Sequence, residues 1–381
     1  MKKKILSGLI AIFLVTLPVS TIAQSFSTSD FEGTWIGYDI SVNPAIPAVF
    51  WLRGTSIVDA SGNFIAASYI APDGTTIAAT AGSVALDRKG VMSGSFTLET
   101  GDTVTVVHGK LDQSKTNATF VSVATDGSMD IGYFFKSGGT FAASDLEGTW
   151  YGYQMIIDAT TGAVFWVRGT YDVNASGSVT GSFTGPDGST VTVDSGILSL
   201  DSDGILSGNL ALSTGQSVTV VHGKIDQNKT RGVFVGIAPD GSMSLGHLVK
   251  AGGTFRQSDG AGKWYAYSLN IDPSIPAVYW VYGDDARVDA SGNFTGSFTA
   301  PTGDTVGGTG VASIDSNGVT TGTFVFDTGD TGVSHLKLDQ GKTINVGVSV
   351  TTSGIMGIWQ YIKESYFLNP GIPTLLLEDE D

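Results

Sequence analysis

Apolar and polar residues alternate in short segments along most of the chain. In the first third, these segments are about 8 to 12 residues long and rich in Val, Ile, Thr, Phe, Tyr and Trp, which is typical of antiparallel strands. Turn signals such as Asp59-Ala-Ser-Gly62 and Asp87-Arg-Lys-Gly90 separate the segments. Seven turns of this kind predict eight strands, and no segment shows a sustained helical period.

This strand pattern occurs three times. The segment that begins Gly33-Thr34-Trp35 returns at Trp150 and at Trp264, so the period is about 115 residues, and a fixed period indicates a repeat architecture. A module of this length can bury its own core. The predicted organisation is a signal peptide at 1–23, repeats at 25–143, 144–257 and 258–368, and an apolar and acidic tail at 369–381.

The linkers between the repeats are short, and each contains one large apolar residue, Phe141 or Phe255. These features predict structured connections and modules that touch each other. In the tail, Ile372 to Leu377 is either a latch that packs on the third module or part of a disordered acidic end.

Eight short strands joined by tight turns can hide their edges by closing into a barrel. The predicted fold is therefore all-β, with three tandem eight-stranded antiparallel up-and-down β-barrels; sandwiches and paired propeller blades are the alternatives. The start Gly33-Thr34-Trp35 and hairpins such as Asp289 to Phe298 resemble the calycin architecture of lipocalins and avidins, and repeats of uncharacterised secreted bacterial proteins. This resemblance implies a fold and no particular ligand.

One spacing differs between the repeats. From Gly62 to Pro72 the first module has ten steps, whereas the corresponding distance is nine in the other two. An extra residue inside a strand turns every later side chain to the other face unless a β-bulge absorbs it. We therefore predict a β-bulge near Ala66 to Tyr69.

The N-terminus indicates export. Three lysines at positions 2 to 4 precede an apolar run from Ile5 to Val19, and small residues lead to a predicted cleavage after Ala23. The apolar run is shorter than the roughly 20 residues of a membrane-spanning helix, which disfavours the alternative of a membrane anchor. With no cysteine in the chain, disulfides and thiolate metal sites are excluded. We expect an extracytoplasmic bacterial protein, either periplasmic or secreted.

Charge narrows the range of partners. Removal of the three N-terminal lysines leaves 17 of 20 basic residues against 36 acidic ones, a net charge of −19. An acidic surface repels nucleic acid and anionic lipid, so neither is an expected partner. The mature chain has no expected membrane span, and the uniformly short loops and strands rich in Ser, Thr and Gly disfavour a transmembrane barrel.

Aromatic and arginine residues recur at fixed positions. In the second strand, Trp51 and Arg53 share one face because strand side chains alternate. Indoles and a guanidinium lining a barrel could hold an aromatic, sugar or anionic ligand. The alternative is structural, with Trp closing the barrel floor and Arg lying over it as a cation-π lid, as in lipocalins. The candidate residues are Trp35, Trp51, Arg53, Trp150, Trp166, Arg168, Trp264, Trp280 and Tyr282.

Histidine provides a second set of candidates, His108, His222 and His335, which occupy one position of the repeat. One histidine per module without a second ligand is weak support for a metal, so no metal or other cofactor is predicted. A general base is possible in principle, and the favoured interpretation is a strand histidine bonded to its neighbours. Asp-x-x-Gly segments such as Asp201 to Gly204 are interpreted as turns and not as calcium loops.

These features favour an exported, non-enzymatic repeat protein with a structural or surface-interaction role, with itself or another surface component as partner. The first alternative is a small-ligand binding barrel, with pockets in modules 1 and 2 and different or no binding in module 3. The second alternative is a carboxylate-dependent hydrolase, because acid pairs are defined by spatial separation and not by sequence spacing. No Gly-x-Ser-x-Gly nucleophile motif is present.

Overall fold

The computed structural model describes residues 25–43, 48–274 and 277–364. Within these ranges the chain forms 24 β-strands and three short 3-10 helices, and no α-helix. Residues Ser25–Glu364 form one compact unit. The predicted signal peptide at 1–23 and the predicted tail at 369–381 lie outside the described residues.

The strands fall into three groups of eight, each preceded by one 3-10 helix. Barrel 1 follows the helix Thr28–Phe31 and contains β1 (Gly33–Asn43), β2 (Ala48–Val58), β3 (Phe64–Ile70), β4 (Thr76–Leu86), β5 (Val91–Leu98), β6 (Thr103–Leu111), β7 (Asn117–Ala124) and β8 (Met129–Lys136). Barrel 2 follows Ala143–Leu146 and contains β9 (Gly148–Ile157), β10 (Val164–Val173), β11 (Val179–Thr184), β12 (Thr190–Leu200), β13 (Ile205–Leu212), β14 (Ser217–Ile225), β15 (Arg231–Ile237) and β16 (Met243–Lys250). Barrel 3 follows Gln257–Gly260 and contains β17 (Gly262–Asp272), β18 (Ala277–Val288), β19 (Asn293–Thr299), β20 (Thr305–Ile314), β21 (Val319–Phe326), β22 (Thr331–Leu338), β23 (Ile344–Thr351) and β24 (Met356–Lys363).

Each group closes on itself as an antiparallel up-and-down barrel. In barrel 1, β1 pairs with β2 on one side and with β8 on the other, and β9 and β17 do the same in their barrels. Closure removes the unpaired edges that eight short strands would otherwise expose. The predicted fold class is therefore confirmed, whereas the narrower calycin resemblance stays a prediction.

Tight turns make this topology possible. In the β4–β5 turn, the Asp87 carboxylate accepts hydrogen bonds from the backbone N–H groups of Lys89 and Val91, both at 2.8 Å. Gly90 ends the turn with φ of +78°, in the left-handed region that glycine adopts at little cost. The Asp201 carboxylate accepts equivalent bonds from Asp203 and Ile205, as expected for a turn.

The predicted β-bulge is present. In the β2–β3 pair, Val58 lies opposite Phe64 and Ile57 opposite Ala66, which leaves Ile65 as the extra residue. The corresponding pair in barrel 2 has no register shift. The bulge lies one residue before the predicted stretch, and the Ile65 side chain is 67% exposed. The insertion therefore leaves later side chains on their original faces.

In part of each barrel, both faces of the sheet are apolar. Inner faces form a separate core within each barrel, and the linker residues Phe141 and Phe255 are buried against two of these cores, as predicted. The outer faces of the first, second, seventh and eighth strands of all three barrels form one further core between the barrels. The modules thus touch through outer faces that an isolated barrel would expose to water.

The contacts between barrels are cyclic. The side-chain amide of Gln227 in barrel 2 donates to the backbone of Ser137 at the end of barrel 1, at 3.1 Å. Gln340 in barrel 3 does the same with Ala251 at the end of barrel 2, at 3.0 Å. Gln113 in barrel 1 reaches the carbonyl of Glu364 at the end of barrel 3, at 3.3 Å. The three barrels therefore form a closed ring.

Candidate functional site

The two sets of tryptophans lie on opposite faces of the sheet. In the β1–β2 register, Trp51 lies opposite Ile40, while Trp35 lies opposite Ser56. Trp35 belongs to the core inside barrel 1, and Trp51 belongs to the core between the barrels. Trp35 and Trp51 therefore do not line one pocket together with Arg53, as a site of two indoles and a guanidinium would require.

Trp35, Trp150 and Trp264 close the barrel floors. The Trp35 indole donates to the carbonyl of Phe31 at 2.8 Å, and its two counterparts bond equivalently to Leu146 and Gly260. A cation covers each ring, as in the structural alternative, but it is a lysine of the last strand and not the arginine of the second. The lysine Nζ atoms lie 5.2 to 5.5 Å from the ring centroids, and the three residues are Lys136, Lys250 and Lys363.

Trp51, Trp166 and Trp280 instead join neighbouring barrels. The Trp51 indole of barrel 1 donates to the carbonyl of Gly236 in barrel 2, at 3.3 Å. The other two donate to Ser349 in barrel 3 and Ser122 in barrel 1, each at 3.0 Å. All three side chains are buried, and in this structure they connect neighbouring barrels.

The recurrent histidines also join barrels. Tyr38 Oη and His222 Nδ1 are 2.7 Å apart, Tyr153 and His335 are 3.2 Å apart, and Tyr267 and His108 are 2.9 Å apart. Burial lowers the pKa of each of these histidines to about 4, so they are neutral near pH 7. The favoured interpretation of bonded strand histidines agrees with this geometry, although the partner belongs to the neighbouring barrel.

The residue two positions after each interface tryptophan varies. At the interface of barrels 3 and 1, Tyr282 stacks on His108 with ring centroids 4.6 Å apart and planes at 10°. At the other two interfaces this position is an arginine. The buried Nε of Arg53 has no hydrogen-bond partner, and Arg168 forms no ion pair within the described part of the chain. Arg168 also lines a groove between barrels 2 and 3.

Sequence reasoning missed a buried charge cluster where the three barrels meet. Arg231, 4% exposed, lies 3.7 Å from carboxylate oxygens of Asp112 and Asp226 and 3.9 Å from Asp339. The three aspartates occupy one repeat position, one in each barrel, whereas the equivalents of Arg231 are Asn117 and Ile344. Burial raises the pKa of Asp226, and the guanidinium opposes that shift. The only sequence signal is a basic residue at one of three equivalent positions.

Barrel 1 contains a pair of buried carboxyl groups. Burial raises the pKa of Asp130 to about 6 and that of Asp39 well above its usual value, and the charge of Asp130 adds to the shift of Asp39. Asp39 is 5% exposed. In barrel 2 the equivalent residues are Gln154 and Ser244. A hydrolase pair must reach its substrate, and these carboxyl groups face the barrel interior.

The candidate functional site is a cavity inside barrel 3. Its volume is about 100 Å³, compared with about 10 Å³ for the corresponding space in barrel 2. The difference follows from smaller side chains at equivalent interior positions. Thr320 replaces Met92 and Leu206, Ser334 replaces Val106 and Val220, and Ala312 replaces Val84 and Leu198.

The barrels also differ in which strand supplies a large aromatic side chain to the interior, and this exchange does not reduce the side-chain volume there. In the last strand pair of barrels 1 and 2, a phenylalanine lies opposite a glycine, as with Phe120 and Gly132. In barrel 3 the order is reversed, with Gly347 opposite Trp359. The aromatic group therefore enters the barrel from the neighbouring strand, and the Trp359 indole lies against Phe298 with centroids 5.3 Å apart. The result is an aromatic wall beside the cavity.

Few polar atoms line the cavity, and one of them is unsatisfied. The Asn345 amide nitrogen donates to Thr320 Oγ1 at 3.3 Å, and the Trp359 indole donates to Ser349 Oγ at 2.8 Å. The Asn345 Oδ1 atom is buried and accepts no hydrogen bond. A buried acceptor without a partner costs about 1 to 3 kcal/mol, so a ligand donor at this atom would be favoured.

No group of three or more acidic or histidine side chains that could hold a metal ion occurs among the described residues. Over the same ranges, no helix is long and apolar enough to cross a membrane. The neutral cavity suits a molecule held by packing and a single hydrogen bond.

The fold and site define an all-β protein of three closed barrels, one of which is hollow. No protein-family model and no curated protein matches the chain. Similar solved structures include transferrin binding protein B from Haemophilus parasuis, at 12% identity and a TM-score of 0.29, covering 87% of this chain and 75% of that one. The same protein from Neisseria meningitidis has 9% identity and a TM-score of 0.28, covering 87% and 77%. A protein of unknown function from Nostoc punctiforme, of the DUF3598 family, has 13% identity and a TM-score of 0.19, covering 58% and 97%. These TM-scores are too low to support a functional argument.

Proposed function

We propose that this is an exported, non-enzymatic binding protein whose third barrel holds a small aromatic molecule that carries a hydrogen-bond donor. The observation that carries the proposal is the cavity of about 100 Å³ in barrel 3, at a place where barrel 2 is filled. Apolar cavities of this order accept single-ring molecules. Barrels 1 and 2 then act mainly as scaffold, which reverses the expectation that they would carry the pockets.

The lining indicates the class of ligand. Aromatic walls that include Phe298, Trp359 and Tyr361 favour a flat apolar body through stacked and edge-to-face contacts. The free Asn345 Oδ1 acceptor requires a donor such as a hydroxyl or an N–H. None of the described residues that line the cavity is charged, so a neutral ligand is favoured over an ion. Phenols and related heteroaromatic rings meet these requirements.

The test compares phenol with toluene, which has nearly the same shape and no donor. Calorimetric titration and the thermal midpoint of the full chain are measured for the natural sequence, Thr320→Leu and Asn345→Leu. Thr320→Leu restores the residue of barrel 2 and should abolish binding of both probes. Asn345→Leu should weaken phenol about fivefold or more and leave toluene unchanged, because toluene has no donor for the Asn345 Oδ1 acceptor.

The matched control is Thr295→Leu, the same substitution at an exposed position of β19 in the same barrel. It should leave the affinity for both probes within twofold of the natural protein. Equal binding by Thr320→Leu and the natural protein would contradict a ligand inside barrel 3. Binding of phenol that does not depend on Asn345 would contradict the assigned donor and acceptor pair.

A surface-interaction role is the second candidate, and it is supported by exposed apolar residues. Val311, Val325 and Val333 lie on adjacent outer strands of barrel 3 and are 46% to 53% exposed. The strands that contain these valines, β20, β21 and β22, are neighbours in the sheet. Concentration-dependent sedimentation that is lost in Val325→Asp would support contact with a second copy. A monomer at all concentrations would speak against self-association.

A further inference from the structure

A groove of about 640 Å³ lies between barrels 2 and 3, outside the hollow of barrel 3. Its volume lies within the range of about 300 to 1,000 Å³ that small-molecule sites occupy. Its lining is mainly apolar, with one charged group. The lining includes Trp166 and Arg168 from β10, Val311 from β20, Val333 and His335 from β22, and Val350 from β23.

Arg168 has no counter-ion among the residues that the structure describes. The side chain is partly buried and forms no ion pair or hydrogen bond with any described residue. By contrast, buried Arg231 meets three carboxylates, and exposed Arg287 meets Asp285 at 2.8 Å. In a chain with 36 acidic residues, a partly buried and unpaired guanidinium beside a groove indicates a place for an external anion.

The surrounding groups allow an anion to approach. Neighbouring His335 lies 3.2 Å from Tyr153 Oη, and an imidazole carries no negative charge that could neutralise the guanidinium. Asp187 belongs to the turn that forms one rim; its carboxylate accepts hydrogen bonds from the backbone and side chain of Ser189, at 2.9 and 2.6 Å, and forms no ion pair with Arg168. Neither group supplies the missing counter-charge to Arg168.

The groove also has an apolar end. Val311 and Val333 are each 53% exposed, which is unusual for valines that line the same depression. A ligand that covers them would remove apolar surface from water while its charged end lies at Arg168. An inorganic anion would use only the charged end.

We propose that this groove binds a small amphipathic monocarboxylate, with the carboxylate on Arg168 and the apolar chain over Val311 and Val333. A guanidinium binds a carboxylate through two parallel N–H donors, which fixes the orientation of the ligand. Five residues line both this groove and the cavity in barrel 3, but Arg168 and Val333 line the groove and not the cavity.

The repeat supplies a matched control. Arg53 occupies the same repeat position as Arg168, beside the equivalent pair of Tyr38 and His222. Arg53→Ala and Arg168→Ala therefore remove the same group from equivalent strands. The test titrates the full chain calorimetrically with hexanoate and, in parallel, with neutral 1-hexanol at the same ionic strength.

Hexanoate should bind the natural protein, and Arg168→Ala should weaken it about tenfold or more, the range for a lost charged hydrogen bond. Arg53→Ala should stay within twofold. Val333→Trp, which fills the groove without touching the charge, should also abolish binding, and Thr320→Leu should not change it. Thermal midpoints establish that each variant is folded.

Three results would overturn the proposal. The first is hexanoate affinity within twofold of the natural protein in folded Arg168→Ala. The second is an equal loss in Arg53→Ala and Arg168→Ala, which would indicate nonspecific attraction to any arginine. The third is binding of hexanol as tight as that of hexanoate, which would leave no role for the guanidinium.

Discussion

Barrels 2 and 3 follow one strand plan but use their interiors differently. Barrel 2 fills its inner space with Leu198, Leu206 and Val220, whereas barrel 3 leaves a cavity beside Ala312, Thr320 and Ser334. Barrel 2 also supplies Arg231 to the charge cluster, where barrel 3 has Ile344. Duplicated modules can therefore differ in role: barrel 2 supplies the arginine of the cluster between the barrels, and barrel 3 contains a cavity.

The largest effect is expected at the charge cluster. Arg231→Met should lower the free energy of unfolding by about 3 to 5 kcal/mol at pH 7, because three buried carboxylates lose their cation. The loss should shrink as pH falls, since the raised pKa of Asp226 means that protonation favours the folded state. Chemical denaturation at several pH values measures both effects.

Arg287→Met serves as the control for this prediction. Arg287 is 63% exposed and pairs with Asp285, so its loss should change the free energy of unfolding by less than about 1 kcal/mol. Comparable losses in the two variants would show that the cluster does not hold the barrels together.

The next effect concerns the two interiors. Leu206→Thr, which gives barrel 2 the residue of barrel 3, should destabilise by about 2 to 4 kcal/mol through lost packing and a buried hydroxyl. The reverse change, Thr320→Leu, should alter stability by less than about 1 kcal/mol, because the packing gained in existing space is offset by the loss of the hydrogen bond that Thr320 accepts from Asn345. Denaturant unfolding of both variants tests this asymmetry, and equal losses would mean that barrel 3 is already filled.

A smaller effect depends on pH. Burial lowers the pKa of His247 to about 3, while the unfolded value is about 6.5. Its contribution to stability is therefore complete above pH 6.5 and is lost as pH falls towards 3, where the folded state also takes up the proton. His247→Gln, the residue at this position in barrel 3, should make stability fall less steeply between pH 6.5 and 4. Parallel pH curves for the two proteins would contradict this assignment.

The smallest effects are expected at a position where barrels 2 and 3 have the same residue in the same conformation. Lys229 and Lys342 both have positive φ, 61° and 59°, and both pair with an aspartate of the preceding 3-10 helix, at 2.7 and 2.8 Å. Glycine would relieve the backbone strain and remove the ion pair, so each Lys→Gly change should alter stability by less than about 1 kcal/mol. Thermal unfolding should give equal shifts within error, and a clear difference would show that the equivalence is only geometric.

Much of the architecture could be predicted from residue patterns. Alternation and regular turns predicted eight strands in each module, and the fixed period predicted three modules. The odd spacing between Gly62 and Pro72 predicted a bulge, which the structure has at Ile65. These features depend on neighbours along the chain, so the sequence by itself determined them.

Which face of each strand points inward was decided only by the tertiary structure. A period of two places Trp51 and Arg53 on one face, but the pairing of Trp51 with Ile40 and of Trp35 with Ser56 sends the two tryptophans to different cores. The cluster around Arg231 and the cavity beside Thr320 join residues from different barrels or distant strands. Such contacts depend on ring closure and on the packing of several strands at once, and no local pattern in the chain specifies them.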